Sequence, residues 1–307
     1  MALTRGYNLK LEYIPETQRG REPWIADDLQ TPGDAIDNYT LTGTNNGEIV
    51  YTMSSFEGQD FVPGLEEYTM TFDYYVQRLN NEKHPLDLSL PYFATTRDTN
   101  TKDLTPLTFY LTTQGGTGDE SGCTWTLTGG VINSYGISGN AGERVKASVE
   151  VVFSGCTTVT GLYSTHSSSS AWDTTYETFQ GAGITRSGSF EEGVNNWNFT
   201  VNNNAGRFPK IGSSTPTVYE GHENVEGSVD ILLVNGGKSD WNEMVSATQQ
   251  SITFDTGDST TDTDQSMTWT FADASYGEVA INAGADSVIV QSGVPWKAKT
   301  VSVVAKA

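Results

Sequence analysis

Apolar and polar residues alternate with a period of two through most of the chain, which is the pattern of half-buried β-strands. In the segment 68–77, for example, Met70, Phe72 and Tyr74 fall on one face. The other strand candidates are residues 7–13, 48–56, 107–113, 123–139, 145–153, 195–201, 225–233, 251–256, 266–271, 276–281 and 299–307. The pattern therefore predicts an all-β fold.

Two segments depart from this alternation. Residues 154–171 are rich in Ser, Thr and Gly, a composition typical of a linker or mobile loop. Residues 240–250 predict a short helix, with Asp240 as N-cap and Glu243 at the capping-box position. The corresponding first-half segment, residues 78–88, contains Pro85 and predicts irregular structure. We therefore expect one or two short helices beside the strands.

The order of elements begins again after the Ser/Thr/Gly-rich segment. Three matches relate the halves in sequence order: Asp73 with Asp230, Phe109 with Phe254, and Trp125 with Trp269. Both halves also end in a strand of β-branched residues. An internal duplication accounts for these matches. It predicts a first domain over residues 1–155, a linker over 156–184 and a second domain over 185–307.

Charge narrows the choice of function. The 307 residues include 38 acidic and 17 basic side chains, giving a net charge of −21. Tight nucleic-acid binding needs the opposite sign, and acidity spread along the whole chain favours a protein that works in high salt. No apolar run is long enough for a membrane span. The alternating N-terminal segment does not have the pattern of a signal peptide.

The sequence offers little material for catalysis. Its three histidines, His84, His166 and His222, have no partner at metal-ligand spacing, and no nucleotide or hydrolase motif occurs. We therefore expect no catalytic residue, no cofactor and no metal. We interpret Cys123 and Cys156 as reduced structural thiols.

Acidic clusters keep two other functions open. Asp255, Asp258, Asp262 and Asp264 form an oxygen-rich loop that could bind a hard cation, although it lacks the EF-hand pattern and is better interpreted as a solvated loop. Residues 55–60 and 189–193 place carboxylates beside aromatic rings, as glycosidase clefts do. The alternatives are therefore a surface binding module, such as an adhesin or carbohydrate-binding domain, and an acidic-cleft glycoside hydrolase.

Apolar residues in long connections indicate contacts with a partner. Phe208, Pro209 and Tyr219 lie between two predicted strands and cannot all be buried in a sheet. Apolar loop tips on a rigid β-scaffold commonly contact another molecule. These three residues, together with Phe56 and Phe61, are the candidate assembly contacts.

Three segments resemble the tail tube, or major tail, proteins of tailed phages and tailed archaeal viruses. Residues 13–24 are similar to the family's Glu-Thr-x-x-Gly opening, with Glu16, Thr17 and Gly20 in place. Residues 201–233 resemble its strand, Asn-rich turn, loop and Glu-Gly turn into a Gly-Ser-Val strand. Residues 127–155 are similar to its closing hairpin.

The resemblance implies duplicated β-sandwich or barrel-like domains with a flanking helix. Strands from each subunit would join an inter-subunit barrel that lines a lumen, and rings would stack into a tube. Because such domains surround the axis in six copies, a chain with two of them implies a pseudo-hexameric homotrimer, with a homohexamer as the alternative. The expected location is the virion tail, after synthesis in the host cytoplasm. The implied partners are other copies of the chain, a tape-measure protein and other tail proteins, while DNA passes through without specific binding.

Overall fold

The computed structural model describes residues 9–16, 29–32, 36–50, 60–62, 64–79, 86–113, 122–160, 172–176, 183–186, 189–190, 193–232, 242, 245–246, 248–256, 267–278 and 290–305. Most of these residues lie in antiparallel β-strands, which confirms the all-β fold class. The strands of the first half are β1 (Leu9–Pro15), β2 (Ile36–Asn45), β3 (Glu48–Val50), β4 (Asp60–Val62), β5 (Glu66–Tyr75), β6 (Gln77–Leu79), β7 (Leu107–Thr113), β8 (Cys123–Asn140), β9 (Lys146–Phe153) and β10 (Gly155–Thr160).

The second half repeats this succession of short strands. Its strands are β11 (Trp172–Tyr176), β12 (Gly183–Arg186), β13 (Ser189–Phe190), β14 (Val194–Asn202), β15 (Gly206–Phe208), β16 (Thr217–Tyr219), β17 (Asn224–Leu232), β18 (Gln250–Asp255), β19 (Met267–Tyr276), β20 (Val290–Ala298) and β21 (Thr300–Ala305). Within the described part of the chain, one α-helix, α1 (Leu90–Thr95), follows a 3-10 turn at Leu86–Leu88.

A central sheet runs without interruption through both halves. Its strand order is β2-β5-β9-β8-β14-β17-β20, and the C-terminal part of β8 supplies the first-half strand next to β14. One face of this sheet is apolar and the other polar, as the alternation predicts. The two halves of the chain therefore share a sheet instead of forming separate ones.

Two outer sheets cover the apolar face of the central sheet. The first outer sheet contains β1, β7, the N-terminal part of β8, and β10. The second contains β13, β12, β18, β19 and β21. One core cluster of buried side chains spans both halves, including Phe72, Phe109, Trp197, Phe199 and Trp269. The architecture is a two-layer β-sandwich whose inner faces interdigitate.

The two halves have the same strand pairings. We call β1–β10 repeat 1 and β12–β21 repeat 2. Six strand pairs of repeat 1 recur in repeat 2. In the outer sheets, β1–β7, β7–β8 and β8–β10 correspond to β12–β18, β18–β19 and β19–β21. In the central sheet, β8–β9, β9–β5 and β5–β2 correspond to β19–β20, β20–β17 and β17–β14. The small hairpin β3–β4 recurs as β15–β16. Each repeat is thus built on one plan.

The register identifies counterpart residues. Asp73 pairs with Asn38, and Asp230 pairs with Asn196, so the predicted match of these aspartates agrees with the pairing. Trp125 and Trp269 likewise hold equivalent positions. The predicted match of Phe109 with Phe254 is wrong by two residues. The β18–β19 ladder places Phe254 opposite Trp269, whereas the β7–β8 ladder places Leu111, and not Phe109, opposite Trp125.

Strands also occur in the segment that the sequence interpreted as a linker. Residues of β10 pair along the N-terminal part of β8, and β11 pairs with β6. Residues 161–171 lie outside the described residues. A Thr- and Gly-rich composition fits an edge strand as well as a loop, and here pairing with β8 selects the strand. The domain division at residues 155 and 184 stays a prediction.

The helices differ in part from expectation. Helix α1 follows the segment that Pro85 predicted to be irregular, and its Leu90, Phe93 and Ala94 are buried. In repeat 2, Asn242, Val245 and Ser246 have helical backbone, and the Ser246 hydroxyl donates to the Asn242 carbonyl at 2.7 Å. Of the other residues of the predicted helix 240–250, Thr248 and Gln249 have no regular secondary structure, Gln250 begins β18, and the rest lie outside the described residues.

Candidate assembly interface

The β15–β16 hairpin of repeat 2 lies on repeat 1. We call residues 204–222 the second arm, and the equivalent residues 46–65, which contain β3–β4, the first arm. The Arg207 guanidinium donates to the Tyr68 carbonyl at 2.9 Å and to the Thr69 hydroxyl at 2.6 Å. The Glu66 amide donates to the Ser214 carbonyl at 2.9 Å. The second arm is therefore fixed to β5 of the other repeat.

An apolar contact completes this attachment. Val218 is fully buried and forms a small cluster with Leu104, Val131 and Val152 of repeat 1. Val152 lies on the polar face of the central sheet, on the same side as Glu150 and Ser148, so the arm covers one end of that face. Burying an aliphatic side chain of this size contributes about 1.5–3 kcal/mol.

The opposite side of the second arm is exposed and apolar. Phe208 and Tyr219 are 58% and 46% exposed, and their rings pack edge to face with centroids 5.4 Å apart. Pro209 and Ile211 are exposed beside them. The predicted contact residues Phe208, Pro209 and Tyr219 thus form one patch, and their role in assembly stays a prediction.

The two other predicted contact residues belong to the first arm or its loop. Phe56 lies outside the described residues. Phe61 is the middle residue of β4, and its side chain lies outside the described part of the structure. In register, Phe61 is the counterpart of Val218, since β4 and β16 hold equivalent positions in their hairpins.

A buried asparagine joins the two repeats where β14 ends. The Asn203 side chain is fully buried, and its amide donates to the Ala94 carbonyl at 2.9 Å and to the Ile132 carbonyl at 3.0 Å. The Asn203 main-chain amide donates to the Asn133 carbonyl at 2.7 Å. These bonds fix the end of β14 to both α1 and β8, because a buried amide must find such partners. The sequence had marked this stretch only as an Asn-rich turn.

An arginine from repeat 1 continues the same network. Arg97 donates to the Asn203 side-chain oxygen at 3.0 Å, and its Nε lies 3.8 Å from the Glu223 carboxylate. Burial raises the pKa of Glu223, while Arg97 acts in the opposite direction. No sequence signal distinguished Arg97 from the other basic residues, because Asn203 and Glu223 are more than 100 positions away.

The outer edge of β2 is the open end of the central sheet. Among the described residues, β2 pairs with β5 and has no strand on its other side. Its apolar residues Tyr39 and Leu41 are only partly buried. Their counterparts in β14, Trp197 and Phe199, are 1% and 0% exposed because β14 is paired on both sides. An open edge of this length is a surface for strand pairing.

The polar face of the central sheet carries mostly hydroxyl and amide side chains, with more carboxylates than cations. Among the described residues that face contains Glu67, Asp73, Glu150, Glu226 and Asp230 against Lys146 and Lys297. Lys146 is shared between Asp37 and Asp73 at 2.8 and 3.3 Å. Side chains of Asn, Ser and Thr fill the rows between these charges. The face is therefore hydrated and weakly acidic.

Glu16, from the Glu-Thr-x-x-Gly segment, has a structural position. Its carboxylate is buried and accepts hydrogen bonds from the Thr108 hydroxyl at 2.6 Å and the Gly129 amide at 2.7 Å. These bonds tie the end of β1 to β7 and β8. Thr17 and Gly20 lie outside the described residues.

The described residues contain no group of His, Cys, Asp and Glu arranged to hold a metal ion. His84, His166, the loop residues Asp258, Asp262 and Asp264, and most of the acidic segments 55–60 and 189–193 lie outside them. His222 is at the end of the second arm, where its carbonyl accepts from the Asn204 side chain at 2.6 Å. Cys123 and Cys156 are free thiols. In the part of the chain that is described, no helix is long and apolar enough to cross a membrane.

Comparison with solved structures gives a weak likeness. No protein-family model matches the chain, and no curated protein matches it. Among solved structures, the chain is similar to the SPP1 tail tube determined by solid-state NMR and cryo EM, with a TM-score of 0.35 and 15% identity. The similarity covers 52% of this chain and 80% of that chain. At this TM-score the likeness carries no functional argument.

Proposed function

We propose that the chain is a structural, non-enzymatic virion protein that assembles into stacked rings and forms the tail tube through which viral DNA passes. Each ring contains three chains, and therefore six repeats, around one lumen-lining β-barrel. The partners are other copies of the chain, and at the tube ends and lumen a tape-measure protein and further tail proteins. The protein would be made in the host cytoplasm and act in the virion, without a cofactor.

The observation that carries this proposal is the pairing of β8 with β14. This pairing joins repeat 1 to repeat 2 within the chain, with seven register positions from Ser134–Asn202 to Asn140–Asn196. The counterpart of β14 in repeat 1 is β2, whose outer edge is open. The counterparts of residues 134–140 are residues 278–284, of which only Glu278 is described. The joint found within the chain can therefore repeat between chains, from the end of repeat 2 to β2 of the next copy.

A joint that repeats with one rotation closes into a ring. Repeat 1 supplies β2, β5, β9 and β8 to the central sheet. Repeat 2 supplies β14, β17, β20 and the C-terminal end of β19, which pairs with β20, so six repeats supply 24 strands. A line perpendicular to the strands runs from Thr40 through Thr71, Glu150 and Ser134 to Asn202. Asn202 on β14 is the counterpart of Thr44 on β2, whereas the line began at Thr40. Crossing one repeat therefore shifts the register by four residues, and crossing six repeats shifts it by 24.

Strand number and shear together set the size of a barrel. For 24 strands with a shear of 24, a rise of about 3.4 Å per residue and a spacing of about 4.8 Å give a strand tilt of about 35°. The same values give a backbone diameter of about 45 Å. This tilt lies in the usual range of barrels and is compatible with closure, whereas the diameter depends on the number of repeats, which is six in the proposed ring. The resulting lumen is wide enough for duplex DNA after side chains are added.

The charge of the polar face suits this role. In the barrel the polar face of the central sheet lines the lumen, because the apolar face is covered by the outer sheets. Its surplus of carboxylates repels phosphate, so DNA passes without being held. Closing the barrel also removes the open β2 edge, which would otherwise be prone to aggregation.

Electron microscopy of the purified protein in molar salt tests this function. We expect rings or tubes with a central hole and six-fold pseudo-symmetry, with about 100 kDa per ring, three times the 33.3 kDa of one chain. High salt screens the repulsion between chains of net charge −21. Strictly monomeric protein at every salt concentration would contradict the proposal.

A further inference from the structure

Repeat 1 has a seat for an arm, and the second arm fills it. The seat is formed by Thr69 on β5, Val131 on β8 and Val152 on β9, at one end of the polar face. Arg207 binds Thr69, and Val218 packs against Val131 and Val152. The occupied seat buries both valines almost completely.

Repeat 2 has the same place, and there it is an open pocket. By strand register the counterparts of Thr69, Val152 and Val131 are Glu226, Lys297 and Ser275, since Thr69 pairs with Val152 and Glu226 with Lys297. All three line a cavity of about 520 Å³. Tyr276, Gly277 and Pro295, the counterparts of Ile132, Asn133 and Glu150, line it as well.

We propose that this pocket is the docking site for the first arm of a second copy of the chain. The proposal rests on the proposed ring, because the ring joint places repeat 1 of one copy beside repeat 2 of another. The first arm then covers β17, β19 and β20 of its neighbour, as the second arm covers β5, β8 and β9 within the chain. The contact of the second arm within the chain thus predicts the geometry of the contact between the first arm and the neighbouring copy.

The two arms leave the sheet in the same way. The Gly221 amide donates to the Asn203 carbonyl at 2.8 Å, and the Gly64 amide donates to the Asn45 side-chain oxygen at 3.0 Å. Neither glycine can be replaced by a larger residue without collision, since an added Cβ would lie 2.9 Å from the Asn204 carbonyl oxygen or 1.9 Å from that of Asn46. Equivalent tight turns give both arms the same starting point.

Side-chain sizes in the two seats are complementary. Phe61 holds the arm position of Val218, and Ser275 holds the seat position of Val131. The larger residue of the first arm therefore corresponds to the smaller residue of the open seat, so the pair of Phe61 and Ser275 has about the same volume as the pair of Val218 and Val131. At the polar end, Ile49 holds the position of Arg207, and Glu226 and Lys297, 3.6 Å apart, replace Thr69 and Val152. The intra-chain seat is thus fixed by a charged arm, and the inter-chain seat receives an apolar one.

Targeted cross-linking tests the docking. In a background carrying Cys123→Ser and Cys156→Val, the substitutions Phe61→Cys and Ser275→Cys place one thiol on the arm and one in the pocket. After assembly in molar salt, a short bifunctional thiol reagent is expected to yield covalent oligomers on a denaturing gel, with the ladder ending at three chains. A matched pair, Val218→Cys with Val131→Cys, is expected to cross-link within the chain and stay at monomer mass.

A second control places the seat thiol elsewhere, with Phe61→Cys and Ser302→Cys, because Ser302 is exposed on the second outer sheet. This pair should give no ladder. Rings that form normally while the Phe61–Ser275 pair stays monomeric would overturn the docking and leave the tube function intact. A chain that forms no rings before cross-linking would instead contradict the proposed function, so the two failures are distinguishable.

Discussion

Strands β14 and β2 are counterparts in the two repeats, yet their surroundings differ. β14 lies between β8 and β17, and Trp197 and Phe199 on it are almost completely buried. β2 is paired with β5, and Tyr39 and Leu41 at the same positions are only partly buried. β14 has a paired strand on both sides, whereas β2 has one on a single side. A neighbouring chain would therefore supply the strand that pairs with the open edge of β2.

The closed joint also shows how such a contact is specified. Trp197 pairs with Gly139 across the joint, and its ring occupies the space where a Cβ at position 139 would be 2.7 Å away. At the open joint the sequence counterparts are Tyr39 and Ala283, a smaller ring facing a larger partner. Ala283 lies outside the described residues. The same holds for the arms: Val218 and Val131, which are in contact within the chain, correspond to a larger and a smaller residue, Phe61 and Ser275.

The largest expected effect separates folding from assembly at these two strands. Trp197→Ala removes a buried ring that packs 5.3 Å from Phe254, and we expect a loss of about 3–5 kcal/mol in the free energy of unfolding. Tyr39→Ala removes a partly buried side chain, and we expect the free energy of unfolding of the isolated chain to fall by about 1 kcal/mol, less than for Trp197→Ala. The same substitution should abolish assembly of chains into rings. Urea unfolding and sedimentation velocity measure the two effects. An equal destabilisation of the isolated chain by both substitutions would show that β2 is not an open edge.

A smaller effect is expected inside the closed joint at Arg97. Arg97→Ala leaves the Glu223 carboxylate without its nearby cation and removes a donor to Asn203, at a cost of about 1–3 kcal/mol near neutral pH. Burial already raises the pKa of Glu223 in the folded protein, and removal of Arg97 raises that pKa further. A folded pKa above the unfolded one makes the ionised group destabilising above that pKa, and protonation relieves the cost as pH falls.

The stability deficit of Arg97→Ala should therefore shrink as pH is lowered through the raised pKa of Glu223. Urea unfolding at a series of pH values measures this. The double variant Arg97→Ala, Glu223→Gln serves as control, since its deficit should not follow this pH dependence. A deficit of the single variant that is the same at every pH would refute the assigned role of the Arg97–Glu223 pair.

The smallest effect on folding is expected at the exposed side of the second arm. Phe208→Ser with Tyr219→Ser removes two exposed rings, so the free energy of unfolding should change by about 0.5 kcal/mol or less. If this patch contacts the next ring, single rings should still form while tubes shorten or disappear in electron micrographs. Tubes of unchanged length would exclude Phe208 and Tyr219 as ring-to-ring contacts.

The sequence predicted the strands well where one face is buried. Met70, Phe72 and Tyr74 alternate because β5 separates the core from the polar face, and the matches of Asp73 and Trp125 followed from the same constraint in both repeats. Strand β10 was misinterpreted because its Thr-rich sequence has no buried face of its own. Its pairing with β8 is a contact that composition does not encode.

The joint between repeats was the part of the site that sequence reasoning missed. Asn203 and Arg97 act through partners that are distant in the chain, such as Ala94 for Asn203 and Glu223 for Arg97. Local patterns carry no trace of these pairs. The exposed arm residues Phe208 and Tyr219 were accessible to prediction because two aromatic rings in a long connection are unusual by themselves.

Hydrogen exchange of β2 and β14 tests the central claim most directly, namely that the open edge of one repeat is closed by another copy as β14 is closed within the chain. Amide exchange is compared between assembled wild-type protein and the unassembled Tyr39→Ala variant. We predict that β14 amides are protected in both samples, whereas the β2 amides that point away from β5 exchange rapidly in the variant and become protected in the assembly. Equal exchange of β2 in rings and in unassembled chains would contradict the account.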